Sequence, residues 1–383
     1  MVSGTPAFKR VISNGLVLDK NGNKMSKRLG NAVDPFYALD RYGADALRWY
    51  MLTNAEPWDN LKFDENGVDE VRRKFFGTLY NTYSFFALYA NIEGWQPSDG
   101  AKMVEADGNM VEMEEGSQSR PEIDRWIISR LNTLIREVKA AYEDYDVKTA
   151  GRLIETFVCD HVSNWYVRLN RSRFWNGDKD AFRTLYDVLM DVAILAAPIA
   201  PFFMDQLYLD LGGQSESIHY VLMPEADASV IDQELEERME LAQQATSMVL
   251  ALRKKVAIPV RQPLAKMLVP VISDAVRARL EDVKDLILAE VKVIEMEFVT
   301  DTTGILTKKI KPNFKTLGKV YGARMKEIAS AFGSLEQATI TAIQNAETAG
   351  EAFTLALPGG DVVLNPGDYQ ISSEDMPGWL VAS

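Results

Sequence analysis

From Pro121 to Gly212 apolar residues recur at the three- and four-residue spacing of a helix. The run is broken at Tyr145-Asp146, at Asn176-Gly177-Asp178, and at Pro198 and Pro201. So long a helical pattern with such stops predicts a set of packed helices, so the middle of the chain is read as an all-helical domain. Length adds a second constraint: 383 residues at 47% hydrophobic exceed one ordinary core, and two or three domains are expected.

The flanks have a different texture. Val11, Ile12 and Leu16, Val17, Leu18 flank Asn14-Gly15 as extended chain around a tight turn, and Asn21-Gly22 ends that run. A lysine-rich loop follows from Asn23 to Gly30. Asp34-Pro35 predicts a helix start, with Asp as N-cap and Pro at the first helical position; Phe36, Leu39 and Tyr42 continue it. Beyond Gly43 a second helix is predicted from Ala44 to Thr53, and a long aromatic core helix from Val68 to Ile92. Residues 96–122 turn acidic and Gly/Ser-rich, which predicts a mobile surface loop. After a helix from Gln233 to Lys255, strands are expected at 267–272, 291–299 and 305–310 and helices at 274–289 and 318–332. A hairpin about Pro358-Gly359-Gly360 completes a small mixed α/β domain.

No apolar run reaches the roughly 20 residues that cross a bilayer, and the N-terminus lacks a secretory signal pattern, so a cytoplasmic location is expected. The single cysteine, Cys159, lies in an apolar helical stretch and is read as a buried small residue; it can build neither an intrachain disulfide nor a multi-cysteine zinc site. Lys plus Arg total 42 against 55 Asp plus Glu, a net charge of −13. That balance argues against nucleic acid for the chain as a whole, but phosphate contacts are local and an acidic chain can carry a basic stripe.

The sharpest chemical signal is Lys24-Met25-Ser26-Lys27-Arg28-Leu29-Gly30-Asn31. Two ammonium groups three residues apart, a hydroxyl between them and a loosening glycine can converge on a polyphosphate and follow it as charge develops. An isolated Lys-x-x-Lys would more often be a solvated turn. This run, however, resembles the KMSKS signature of the class I aminoacyl-tRNA synthetases. The resemblance implies that Lys24 and Lys27 are catalytic, that Lys24, Met25, Ser26 and Lys27 bind ATP, and that the loop stabilises departing pyrophosphate. Arg28 stands where the consensus has a final serine.

The match continues outside the loop. Gly43-Ala44-Asp45-Ala46-Leu47-Arg48 resembles the segment that follows the signature in the isoleucyl, valyl and leucyl group, and Asp124-Arg125-Trp126-Ile127 the start of its anticodon-binding domain. Ser163-Asn164-Trp165-Tyr166-Val167-Arg168 and Arg171-Ser172-Arg173-Phe174-Trp175 resemble that domain's basic aromatic helix. Arg168, Arg171, Arg173 and Trp175 are therefore candidate tRNA contacts, the arginines for phosphate and Trp175 for an unpaired base. Trp165 and Tyr166 offer the same faces, although helical spacing favours their packing between helices. Trp49-Tyr50-Met51-Leu52, the segment 74–95 and Lys311-Pro312-Asn313-Phe314-Lys315-Thr316-Leu317-Gly318 are similar to the isoleucyl branch that lacks a C-terminal zinc ribbon. A valyl-type enzyme is one alternative.

The expected fold is mainly α: a helical anticodon-binding bundle, preceded by a remnant of the nucleotide-binding α/β domain and followed by a small α/β domain. Expected boundaries are 1–66, 67–230 and 231–383. Neither a HIGH-type motif nor an editing domain is present, so the chain reads as a piece of a larger monomeric ligase, inactive alone. ATP with Mg2+, isoleucine and isoleucine-specific tRNA are the implied substrates and partners, with no zinc and no membrane. A stand-alone tRNA-binding module is the rival reading, and the lysines at 308, 309, 311, 315 and 319 the rival RNA surface.

Overall fold

Asp34 starts the first regular helix of the computed structural model, its carboxylate accepting the Phe36 N–H while Pro35 fills the first helical position. The structure describes residues 8, 10–98, 102–106, 109–113, 120–271, 273–299 and 307–374. It divides into two units, Met1–Glu236 and Glu237–Ser383.

In the first unit, β1 (Val17–Leu18) pairs in parallel with β2 (Leu61–Lys62), and α1 (Pro35–Tyr42) and α2 (Ala44–Thr53) lie between them in sequence. The predicted extended run therefore shrinks to two residues. Val11 and Ile12 stay exposed, because Gly15 and Leu16 bond to Pro57 and Asn60 instead of to a local partner strand. α3 (Glu65–Val71) passes through a wide i→i+5 turn, Arg72–Phe76, into α4 (Gly77–Glu93), so the predicted aromatic helix is one rod with a bulge. Trp49 stacks on Phe75 at 4.1 Å, and Phe76 meets Phe203 edge-on, which seats that rod against the rest of the unit.

The acidic segment holds an antiparallel strand pair, β3 (Lys102–Ala106) with β4 (Asn109–Met113), where sequence predicted only a loop. Residues 99–101, 107–108 and 114–119 lie outside the described residues. Then come α5 (Glu122–Glu143), α6 (Val147–Thr156), a second wide turn Phe157–Val167, α7 (Arg168–Trp175), α8 (Lys179–Ala196) and α9 (Pro201–Asp210). Their breaks fall at the residues the sequence marks. Trp126, Ile127, Leu134, Phe157, Tyr166, Phe174, Phe182 and Leu185 are fully buried between them. Cys159 is half-buried, its thiol facing the Lys74 carbonyl at 3.7 Å, and burial pushes its pKa up to about 11. A thiol held protonated is a poor nucleophile.

α10 (Gln233–Lys255) leads into the second unit, where β5 (Leu264–Pro270), α11 (Asp274–Asp282), α12 (Lys284–Val291) and β6 (Val293–Val299) form a crossover with a parallel strand pair. Fully buried Arg253 donates to the carbonyls of Pro259, Gln262, Val291 and Lys292 at 2.8–3.1 Å and so ties the end of α10 to the end of α12. β7 (Thr307–Pro312), α13 (Phe314–Tyr321), α14 (Met325–Gly333), α15 (Gln337–Ala349), the hairpin β8 (Phe353–Leu355) with β9 (Val362–Leu364), and β10 (Tyr369–Glu374) follow. β10 pairs antiparallel with β7. Ile310, Leu317, Ile328, Ile343, Val362 and Leu364 share one core. Helix α15, missed in the sequence, is rich in Thr, Gln and Asn with only Ile340 and Ile343 as strong aliphatic anchors.

Candidate functional site

The lysine loop grows from a root that only glycine permits. A Cβ on Gly15 would lie 1.9 Å from the Asp59 carbonyl oxygen, and the Gly15 N–H donates to Pro57 at 2.8 Å. Asp19 then organises the turn. Its Oδ1 accepts the N–H of Asn21 and Asn23 at 3.0 and 2.8 Å, and its Oδ2 accepts the Asn31 side-chain amide at 2.9 Å. The same Asn31 amide reaches the Lys24 carbonyl at 3.2 Å, while Asn31 Oδ1 accepts the Ser26 N–H at 2.9 Å. One asparagine thus binds the root, the start and the middle of the loop.

Ser26 caps a short 3-10 turn, Lys27–Leu29, its hydroxyl accepting the Arg28 N–H, and Gly30 closes it at φ +66°, where a side chain would be strained. Lys24, Lys27 and Arg28 are exposed and form no ion pair among the described residues. Met25 is half-buried. The Asn31 bond first, then the Asn23 N–H, holds the Asp19 carboxyl below its ordinary value of 3.8. A depressed carboxylate contributes order above that value and loses it as pH falls through the folded pKa. The loop's free groups are cations, which suit phosphate and not a metal ion. Among the described residues no group of three or more His, Cys, Asp or Glu is placed to hold a metal ion.

The segment Gly43–Arg48 has a mechanical task. From α2, Asp45 accepts the Phe203 N–H at the open N-terminus of α9, and Arg48 donates to the carbonyls of Ile199 at 2.8 Å and Pro198 at 3.0 Å. Both unsatisfied ends of the Pro198–Pro201 corner are thereby capped from α2. Burial raises the Asp45 pKa, although the Phe203 and Phe202 N–H groups oppose it. The helices that follow the lysine loop are in this way bolted to the bundle.

On α7 the candidate RNA residues separate by face. Arg168, Arg171 and Trp175 are spaced three and four apart, so they line one stripe. Arg171 is exposed without an ion pair among the described residues, Trp175 is 57% exposed, and Arg168 is half-buried. Arg173 points the other way. Its guanidinium grips both oxygens of fully buried Asp124 at 2.6 and 2.8 Å and meets Asp178 at 2.7 Å, leaving the side chain 19% exposed. Burial opposes its charge, yet the Asp124 and Asp178 bonds outweigh that and raise its pKa. Asp124 also accepts the Tyr166 hydroxyl at 2.8 Å, and Asp178 caps α8 through the N–H groups of Asp180 and Ala181. The network joins α5, α7 and α8. Trp165 and Tyr166 are buried, as packing residues.

Sequence reasoning did not single out Asp19, Asn31 or Asp178 for these roles. Asp19 and Asn31 lie outside the five-residue signature, although an Asp-x-Asn-Gly-Asn turn is a recognisable cue. A cleft of about 220 Å³ beside Leu134, Leu153 and Phe157 is edged by Arg130, Lys148 and Arg152. Each of those cations already meets a carboxylate, Glu236, Glu56 and Glu155, at 2.7–3.1 Å.

Residues 1–64 match the family model "tRNA synthetases class I (I, L, M and V)", and residues 124–268 match "Anticodon-binding domain of tRNA ligase". The isoleucine-tRNA ligase of Porphyromonas gingivalis is 54% identical over 100% of this chain and 33% of its own length. That of Cytophaga hutchinsonii is 50% identical over 98% of the chain and 33% of its length, and that of Clostridium acetobutylicum 38% over 98% and 35%. The chain thus spans about a third of the length of the curated relatives it matches. These relatives are isoleucine ligases, which does not favour the valyl alternative. Two family models in the expected order, on the lysine loop and on the helical bundle, agree with similarity that runs over the whole of this chain: the chain belongs to the isoleucine-tRNA ligase family of class I tRNA synthetases.

Proposed function

We propose that this chain supplies the pyrophosphate clamp and the tRNA-binding bundle of a ligase that activates isoleucine with ATP and transfers it to its tRNA. In the activation step the isoleucine carboxylate attacks the α-phosphorus, the bond to the bridging oxygen breaks, and pyrophosphate leaves with the negative charge. Lys24 and Lys27 meet that charge. The observation that carries this reading is the combination of exposed, unpaired lysines with a turn fixed by Asp19, Ser26 and Asn31: the backbone is preset while the ammonium groups stay free. Met25, half-buried, anchors the loop.

On the bundle, Arg168 and Arg171 contact the tRNA backbone and Trp175 stacks on an unpaired base, whereas Arg173 positions that helix through Asp124 and Asp178. Residues 1–66 act as the end of the catalytic domain, 67–230 as the anticodon-arm domain, and 231–383 as a C-terminal extension.

The test is pyrophosphate exchange in the full-length ligase that contains this segment. Lys27→Ala should lower kcat about 100- to 1000-fold, with a smaller change in ATP binding. Unchanged kcat with a raised KM for ATP would reduce Lys27 to a ground-state binding residue.

A further inference from the structure

From Lys308 to Lys326 the chain carries six lysines and one arginine and no acidic residue, within a sequence of net charge −13. The fold sorts this run by face. On β7, Ile310 points into the core, so Lys311 next to it lies on the opposite, exposed face. Its partner across the strand pair is Gln370, so no carboxylate stands opposite it. Two residues on, Asn313 caps α13, its Oδ1 accepting the Lys315 N–H at 3.1 Å. Leu317 and Tyr321 turn one side of α13 to the core. Lys315 and Lys319, four apart, are exposed on the other side.

None of these three lysines forms an ion pair among the described residues. Two acids of the same unit have other partners. Glu327 accepts Arg324 at 3.0 Å and the Gly359 N–H at 2.7 Å, and Asp368 accepts the N–H of Asn365 at 2.9 Å. Phe314, at the first position of α13 and adjoining Lys315, is 62% exposed. Three lysines without a counter-charge repel one another, and a ligand that is both anionic and flat would relieve that repulsion and cover the adjoining ring.

We propose that the β7–α13 corner is a second RNA-docking surface, with Lys311, Lys315 and Lys319 on phosphates and Phe314 as a stacking platform for an unpaired base. It rests on the tRNA-binding reading of the chain and adds to it a surface separate from α7. The combination favours a nucleic acid strand over a purely electrostatic partner, because phosphates would engage the lysines while an unpaired base would stack on the adjoining exposed ring.

The experiment is a salt titration of tRNA binding by the whole 383-residue chain. Replacing Lys311, Lys315 and Lys319 together by Gln should flatten the slope of log affinity against log salt by about 2 to 2.7 units, roughly 0.7–0.9 per phosphate contact. The triple Lys→Arg variant should restore the slope. Phe314→Ala should weaken binding about tenfold with the slope unchanged. Since all four side chains are exposed, the thermal midpoint should hold in each variant.

An unchanged slope in the Gln variant, with tRNA still bound through an Arg171-dependent contact, overturns this surface and leaves the α7 reading intact. Absence of tRNA binding by the parent chain overturns both. A Gln variant that loses binding to anionic phospholipid vesicles but none to tRNA also overturns the proposal, assigning the corner to a lipid surface instead.

Discussion

Asp19 in the lysine loop and Asp124 in the bundle each organise a cationic region, and they differ in what they take as partner. Asp19 is followed in sequence by Lys20, Lys24 and Lys27 but is satisfied by the amides of Asn21, Asn23 and Asn31. Asp124 is buried and takes a guanidinium and a phenol, Arg173 and Tyr166. An anion satisfied by neutral donors leaves the neighbouring cations unpaired and available for a ligand. One that binds a cation converts that cation into structure. The difference follows from burial: a carboxylate still in touch with water, as half-buried Asp19 is, needs only hydrogen bonds, while one removed from water needs a compensating charge.

The contrast breaks most visibly at Asp124. Asp124→Asn leaves the buried side of Arg173 without its counter-charge, and a loss of about 3–5 kcal/mol in unfolding free energy is expected. Urea denaturation measures it. A change below 1 kcal/mol would mean that Asp178 alone holds Arg173, and that the buried pair is not what fixes α7.

A third carboxylate sharpens the comparison because it has neither solution. Asp191 on α8 receives no hydrogen bond among the described residues, and burial first, then the charge of Asp187, raises its pKa to about 7. Between the ordinary 3.8 and about 7 the unfolded chain ionises while the folded chain holds its proton, so folding is weakened as pH rises through that window. Asp191→Asn should therefore be close to neutral at pH 4 and stabilising by about 2 kcal/mol at pH 8. Melts of both proteins at the two pH values test the sign. Equal gains at both would show that charge is not the cause.

How far these roles were legible depends on whether the cue is local. The N-cap Asp34, the α2 span and the breaks of the bundle are set by neighbouring residues, and the structure places them where the sequence indicates. Phe36 and Leu39 were legible as helical but not as exposed, since periodicity finds a face without saying what covers it. The Asp124–Arg173 bond spans 49 positions, and no spacing rule reaches that far. Yet α7 itself held the cue that separates its arginines: Arg173 falls beside Asn170 and Phe174 on the buried face, and Arg168, Arg171 and Trp175 on the other. Parallel pairing of β1 with β2 was hidden because two-residue strands carry almost no pattern.

Asn31 tests the loop half of the comparison without removing a cation. Asn31→Ala should slow isoleucine activation in the full-length ligase by about three- to tenfold, the size of one or two neutral hydrogen bonds lost from a positioning residue. The thermal midpoint should stay in place. Lowering pH toward the folded pKa of Asp19 should slow the parent enzyme in the same way and affect the variant less. If both respond alike to acid, Asp19 and Asn31 do not act together.

The smallest effect belongs to Arg171, and it is the most discriminating. Arg171 is exposed and makes no ion pair among the described residues, so Arg171→Gln should change unfolding free energy by no more than about 0.5 kcal/mol. Its tRNA affinity should lose roughly 0.7–0.9 units of salt slope, the share of one phosphate. Arg173→Gln should do the reverse, with a lower melting midpoint and, at a temperature where the variant is folded, an unchanged slope. Two arginines two residues apart would then report separately on RNA and on the fold. A slope change at Arg173 with Arg171 silent would invert the assignment of the two faces, and would show that a guanidinium held by two carboxylates can still leave them for phosphate.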